Sequence, residues 1–183
     1  MIRTDWSYAL VKTRACSDAV MWAREQPSYE VAWESCERGD WLLWLAGRRC
    51  TPGDAAHKSV VVAACACART VLQYVPSGET RPLRAIEAAE AWCRGEATLG
   101  DVLAASYAAY TAYDAYAACS ACSAAYAAAN ATNGVYVAYA YAAAANATYA
   151  TYAAYAADGD ARSRPLASLA VLVRQYVARP ELP

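Results

Sequence analysis

Cys119-Ser120-Ala121-Cys122 is the spacing in this sequence that could most directly do chemistry, as an exchanging dithiol or as half of a zinc site. A structural zinc site needs four ligands, and Cys65-Ala66-Cys67 has the wrong spacing for a second knuckle. A thioredoxin-like dithiol follows a strand, whereas this pair sits in an alanine-rich stretch that should be helical. His57 is the only histidine, and it closes a segment, 50–57, whose Thr51-Pro52-Gly53-Asp54 reads as a loop. A solvated loop histidine is expected there rather than the base of a nucleophilic triad. Glu87 and Glu90, one helical turn apart, could share acid–base work, but Arg81, Arg84 and Arg94 lie close in sequence and make surface ion pairs the expected use. Neither a phosphate-binding glycine loop nor a nucleophile elbow occurs. No enzymatic activity, metal or other cofactor is expected.

The aromatic residues carry more information. Tyr107, Tyr110, Tyr113 and Tyr116 recur every three residues, continue as Cys119 and Cys122, and the pattern returns at Tyr149, Tyr152 and Tyr155. Each step of three turns an α-helix by about 300°, so successive rings drift by about 60° and cannot form one narrow seam. The spacing also departs from the 3.5-residue average of a coiled coil. The stripe has two readings: a core or self-association surface, or a recognition surface on which rigid aromatics grip a protein or stack on the bases of a nucleotide. Trp41 and Trp44, three apart, share a helix face and either pack the core or form an anchor patch. Arg81, Arg84, Glu87 and Glu90 on one helix are further binding candidates, Glu87 and Glu90 lying three apart.

The elements that must position these residues are helices. Six tryptophans lie before residue 93, whereas eleven of fifteen tyrosines fall between Tyr107 and Tyr155, and composition changes near Thr98. This divides the chain into a tryptophan-containing part, 1–98, and an alanine- and tyrosine-rich part, 99–183, expected to pack as one unit. In the first part, 18–26 reads as a helix ended by Pro27. Ser28 caps a helix over 29–37 that Gly39 closes, and Asp40 caps another over 41–47. A core helix is expected over 59–73. Pro82 suits the first turn of the next, which Gly95 ends, with Ile86, Ala89, Trp92 and Cys93 facing inward.

Thr98-Leu99-Gly100-Asp101 is a capping-box-like start. One long helix over 102–131 is then expected, about 45 Å at about 1.5 Å per residue, broken by Asn133-Gly134. A second alanine-rich helix over 135–157 should pair with it as an antiparallel hairpin, although the alternation in 135–141 after an Asn-Gly turn allows a local β-hairpin instead. Pro165 begins a last amphipathic helix to Val177. The predicted fold class is all-α, a helical bundle with a long alanine/tyrosine-rich hairpin.

The balance of 16 basic and 17 acidic residues leaves a net charge of −1, so neither long nucleic acid nor an acidic membrane is attracted by overall charge. The 102–157 stretch has one charge, Asp114, yet its 27 alanines are interrupted by polar residues, and no membrane span is expected. The N-terminal residues lack a signal-peptide core, so a cytoplasmic location is expected, with the eight cysteines reduced and acting as small hydrophobes.

Residues 29–105 resemble a family of immunity proteins associated with bacterial polymorphic-toxin systems and met in phage-like genomes. The resemblance rests on Gly39-Asp40-Trp41-Leu42-Leu43-Trp44-Leu45, Ala64-Cys65-Ala66-Cys67-Ala68-Arg69, Tyr74-Val75-Pro76, the 81–90 segment from Arg81-Pro82-Leu83 to Glu90, and Trp92-Cys93-Arg94-Gly95-Glu96-Ala97-Thr98. An alanine-rich repeat after this block also looks like the family, though here it is richer in Tyr, Asn and Thr. The resemblance implies a small cytosolic binding protein whose partner is a toxin or defence component. A small nucleotide ligand held by the tyrosines, a homo-oligomer built from the uncharged surface, and ice binding through Thr132, Thr148 and Thr151 are the rival expectations.

Overall fold

The computed structural model describes residues 6–115, 120–134, 140–158 and 165–182. Among them there are ten α-helices, one 3-10 turn and no strand. The helices are α1 (Ser7–Lys12), α2 (Ser17–Arg24), α3 (Tyr29–Ser35), α4 (Gly39–Arg49), α5 (Ala55–Arg69), α6 (Arg81–Arg94), α7 (Leu99–Ala115), α8 (Ser120–Asn130), α9 (Ala140–Asp158) and α10 (Pro165–Tyr176). The protein is all-helical, as its composition predicts. Of the strand-like 135–141 run, 135–139 lies outside the described residues, and 140–141 begins α9.

Local chemistry accounts for several helix ends. Ser28 accepts a hydrogen bond from the Val31 N–H at 3.2 Å and caps α3. Arg174 donates to the carbonyls of Trp33 and Cys36 at the other end of that helix, at 3.2 and 2.9 Å, where a cation meets the negative end of the dipole. Pro82 occupies the first turn of α6, and Gly95 ends it in the left-handed conformation, φ 80°. At α7 the Asp101 N–H donates to Thr98 Oγ1 at 3.2 Å while Asp101 accepts from the Thr98 N–H at 2.9 Å, a reciprocal pair that satisfies two otherwise unpartnered donors.

Three expected boundaries are corrected. Gly39 does not close α3 but opens α4, and Asp40 is not a cap: it lies inside the first turn, paired with Arg38. A side chain at Gly39 would come within 2.9 Å of the Leu169 backbone carbon, so this glycine serves the close approach of α10 to α4. The core helix α5 starts four residues early, at Ala55, because Asp54 accepts from the His57 N–H at 2.6 Å and caps it.

The single long helix expected over 102–131 is instead two, α7 and α8, which pack against each other. Tyr110 and Tyr126 have ring centroids 5.3 Å apart, whereas 16 residues of straight helix would set them about 24 Å apart. Helix propensity could not reveal this fold-back, because the residues on both sides of it are equally good helix formers.

Helix α5 is central, touching α4, α6, α8, α9 and α10, and its Val60, Val61, Ala64, Cys65, Cys67 and Ala68 are almost fully buried. Helices α6, α7 and α8 pack mutually, α8 packs on α9, and α4 packs on α9 and α10. Buried Ala121, Ala124, Ala125 and Ala128 of α8, and Ala140, Ala143, Ala144 and Ala147 of α9, recur at helical 3–4 spacing. One hydrophobic cluster runs through both parts of the chain. No described helix is long and apolar enough to cross a membrane.

Candidate functional site

Two aromatic assemblies stand out, one facing outward and one enclosing space. The outward one is on α7. Tyr107 and Tyr110 have ring centroids 6.4 Å apart and Tyr110 and Tyr113 6.1 Å apart, tilted by about 30°, and Tyr110 also rests on Tyr126 of α8. Exposure falls from 69% at Tyr107 to 39% at Tyr110, and Tyr113 is half-buried. That gradient is the expected angular drift made visible, with each ring turned further from solvent toward α8. Tyr149 of α9 is also exposed. Tyr116, Tyr152 and Tyr155 lie outside the residues whose side chains are described.

The second assembly is a cavity of about 420 Å³ bounded by α1 to α4 and by Tyr141 of α9. Its walls are Trp6, Trp22, Trp33, Trp41 and Trp44 with Tyr29. Trp22 and Trp41 meet edge to face with centroids 6.1 Å apart, and Trp6 is tilted against Tyr29 at 5.6 Å. Arg38 lies 4.4 Å over the Trp41 ring and forks onto Asp40 at 2.9 and 2.7 Å, a hydrogen-bonded pairing that raises the guanidinium above its ordinary value. Tyr29 donates its hydroxyl hydrogen to the Pro180 carbonyl at 2.6 Å, and burial pushes the phenol up, so this wall is fixed by the C-terminal segment. Burial also raises the Cys36 thiol, which keeps that lining sulfur protonated.

Of the residues proposed from sequence, Trp41 and Trp44 line this cavity, while Tyr107, Tyr110, Tyr113, Arg81, Arg84, Glu87 and Glu90 do not. Arg81 instead pairs with Glu79 and donates to Thr111 Oγ1 at 3.0 Å, tying the start of α6 to α7. The expected ion pairs of Glu87 and Glu90 with Arg81, Arg84 and Arg94 are corrected. Glu90 takes a two-pronged bond, 2.7 Å each, from Arg69 of α5, and Arg94 pairs with Glu96. Glu87 and Arg84 are exposed. The α6 face is thus bound into its neighbours at Glu90 and Arg81 and offers only Arg84 and Glu87 outward.

His57 is not a solvated loop residue. It is 1% exposed, accepts the Gly53 N–H on Nδ1 at 2.7 Å, and lies 2.7 Å by Nε2 from the Ala131 carbonyl. With Nδ1 accepting, Nε2 is the nitrogen that donates, so the ring is a fixed bridge between the α5 start and the α8 end. A Cβ on Gly134 would fall 2.4 Å from Pro52, so the same two turns are in contact. The C-x-x-C pair is half visible: Cys119 lies outside the described residues and Cys122 is buried. Cys65 and Cys67 are enclosed, and burial pushes the Cys67 thiol to about 12 and the Cys65 thiol well above its ordinary value, as for small core hydrophobes. Among the described residues, no three His, Cys, Asp or Glu side chains gather as metal ligands would.

Beyond Trp41 and Trp44, the lining residues, among them Trp6, Trp22, Trp33, Tyr29, Arg14 and Tyr141, were missed as site residues in sequence. Clustering of tryptophans early in the chain was a usable signal for an aromatic site, but nothing marked the tyrosine that α9 brings to it. No family model, curated protein or solved structure matches this chain.

Proposed function

We propose that this chain is a non-enzymatic binding protein that neutralises or sequesters a protein partner, a toxin or defence component in a bacterial or phage conflict, within the cytoplasm. The observation that carries this is the exposed ladder of Tyr107, Tyr110 and Tyr113 braced on Tyr126. Rings held by one another lose little entropy when covered, and each brings a large apolar face with a polar tip. In this proposal α8 and α9 form an antiparallel hairpin whose alanine faces anchor α7 and leave its tyrosines outward. The family resemblance of 29–105 points to the same class of activity.

A protein partner is favoured over a nucleotide. Centroid separations of 6.4 and 6.1 Å put neighbouring rings in contact with each other, so no base can enter between them. Affinity capture from the native host with the intact chain and with a Tyr107→Ala/Tyr110→Ala variant is the test. One protein should be retained by the first and lost by the second, with both equally helical by circular dichroism. Equal retention by the two chains would remove the ladder as the binding surface. A homo-oligomer formed through the same surface would appear instead as a doubled mass in light scattering that the variant abolishes.

A further inference from the structure

We infer that the tryptophan cavity is a binding site for a small planar aromatic anion, held between indole walls and met at the rim by Arg14. The site is separate from the tyrosine ladder and does not depend on it.

Size and lining fit such a ligand. The volume of about 420 Å³ falls in the range of about 300–1,000 Å³ typical of small-molecule pockets. Five tryptophans supply flat apolar walls, and exposed Arg14 and Cys16 mark the side on which the cavity meets solvent. Trp22 and Trp41 are already set edge to face, which leaves aromatic surface for a third ring without rearrangement.

Charge selects the class. The Asp40 carboxylate is consumed by both prongs of Arg38, so this pair adds no net charge to the lining. Arg14 is the remaining cation of the lining, and among the described residues it has no ion pair. A ligand cation would gain from the aromatic faces but would sit beside the Arg14 guanidinium with no available carboxylate. A neutral arene would use only the walls. An aromatic carboxylate or phosphate uses both.

Arg14 also occupies a position its side chain makes costly. Its φ is 64°, in the left-handed region, where the chain leaves α1 by donating Arg14 N–H to Val11 O at 2.9 Å and Ala15 N–H to Leu10 O at 3.0 Å. Glycine is the residue that relieves strain at this kind of helix end. An arginine here places a guanidinium at the mouth of an aromatic cavity at the expense of local backbone strain, which is the pattern of a functional position.

The test is calorimetric titration of the full chain with indole-3-acetate, phenyl phosphate, indole and tetramethylammonium, with the tryptophan indole N–H resonances followed by NMR. One of the two anions should bind more tightly than indole by about threefold to tenfold, and the tighter one names the acid group. Arg14→Gly, which suits the left-handed backbone, should keep or raise the melting temperature and erase the preference for the anion. Arg14→Gln gives the same readout with a side chain retained. Tyr107→Ala should leave the affinities unchanged. Three results overturn the inference: no probe bound up to about 1 mM, indole or tetramethylammonium bound as tightly as the anions, or an anion preference that survives both Arg14 variants.

Discussion

In the first 50 residues the tryptophans turn inward around a cavity, whereas on α7 the tyrosines turn outward from a core made mostly of alanine. Both arrangements follow from the size of the residues between the aromatics. Leu42, Leu43 and Leu45 fill the inner face of α4, and the tryptophans beside them arch over a space they do not fill. On α8 and α9 most buried positions are alanines, the helices pack against each other, and little depth remains for a ring, so Tyr107, Tyr110 and Tyr149 are left at the surface. The same residue class therefore builds a cavity in one region and an exposed aromatic face in the other.

If the two cores differ in this way, they must fail in opposite directions. Leu43 is fully buried, and Leu43→Ala should cost about 2–5 kcal/mol, read as a lower urea midpoint at unchanged slope. In the alanine core the damaging change is enlargement: Ala128→Leu on α8 should cost about 1–3 kcal/mol through overpacking. The same change at exposed Ala104 should stay within about 0.5 kcal/mol. A tolerated Ala128→Leu would mean that α8 is not packed as closely as its buried alanines imply.

Legibility in the sequence followed the same division. Where core and surface residues differ in kind, as on α6 with Ile86 and Ala89 inside and Arg84 and Glu87 outside, period and caps located the helix and its buried face. On α7 to α9 alanine takes most of the buried positions and also partly exposed ones such as Ala105, Ala108, Ala142 and Ala145, so alanine periodicity carries little contrast and the fold-back between α7 and α8 left no trace. His57 was misjudged for a related reason: its two ring partners come from Gly53 and from Ala131, 74 residues away, and the second cannot be read locally. The tryptophan site was half legible, since Trp41 and Trp44 were evident while Arg14 and Tyr141 reach the cavity only through tertiary packing.

The tie between α6 and α7 can be tuned by pH. Arg81 donates to Glu79 through its backbone N–H at 2.8 Å and through Nε at 2.9 Å, and this bonding lowers the Glu79 carboxyl from 4.5 to about 2. A depressed carboxylate stabilises the fold fully above its unfolded value and loses that contribution as pH falls through the folded one. Glu79→Gln should therefore lower the urea midpoint at neutral pH, and the difference from the parent chain should close between about pH 4.5 and 2. A gap that persists unchanged to the acid end would show that Glu79 acts by shape rather than by charge.

The contrast between Tyr107 and Tyr110 tests whether the tyrosine ladder is an open surface. Tyr107 is 69% exposed and loses its ring contact with Tyr110, so Tyr107→Ala should cost no more than about 0.5–1.5 kcal/mol. Tyr110→Ala should cost more, because it breaks the contacts with Tyr107, Tyr113 and Tyr126, each worth about 0.5–1.5 kcal/mol beyond the area buried. A rising cost from Tyr107 to Tyr110, independent of protein concentration, is what an uncovered surface requires. If Tyr107→Ala is as damaging as Tyr110→Ala and the loss grows on dilution, a second copy already covers the ladder, because mass action ties the stability of an assembly to its concentration. The outward tyrosines would then be the core of an oligomer, and the contrast with the inward tryptophans would hold only within one chain.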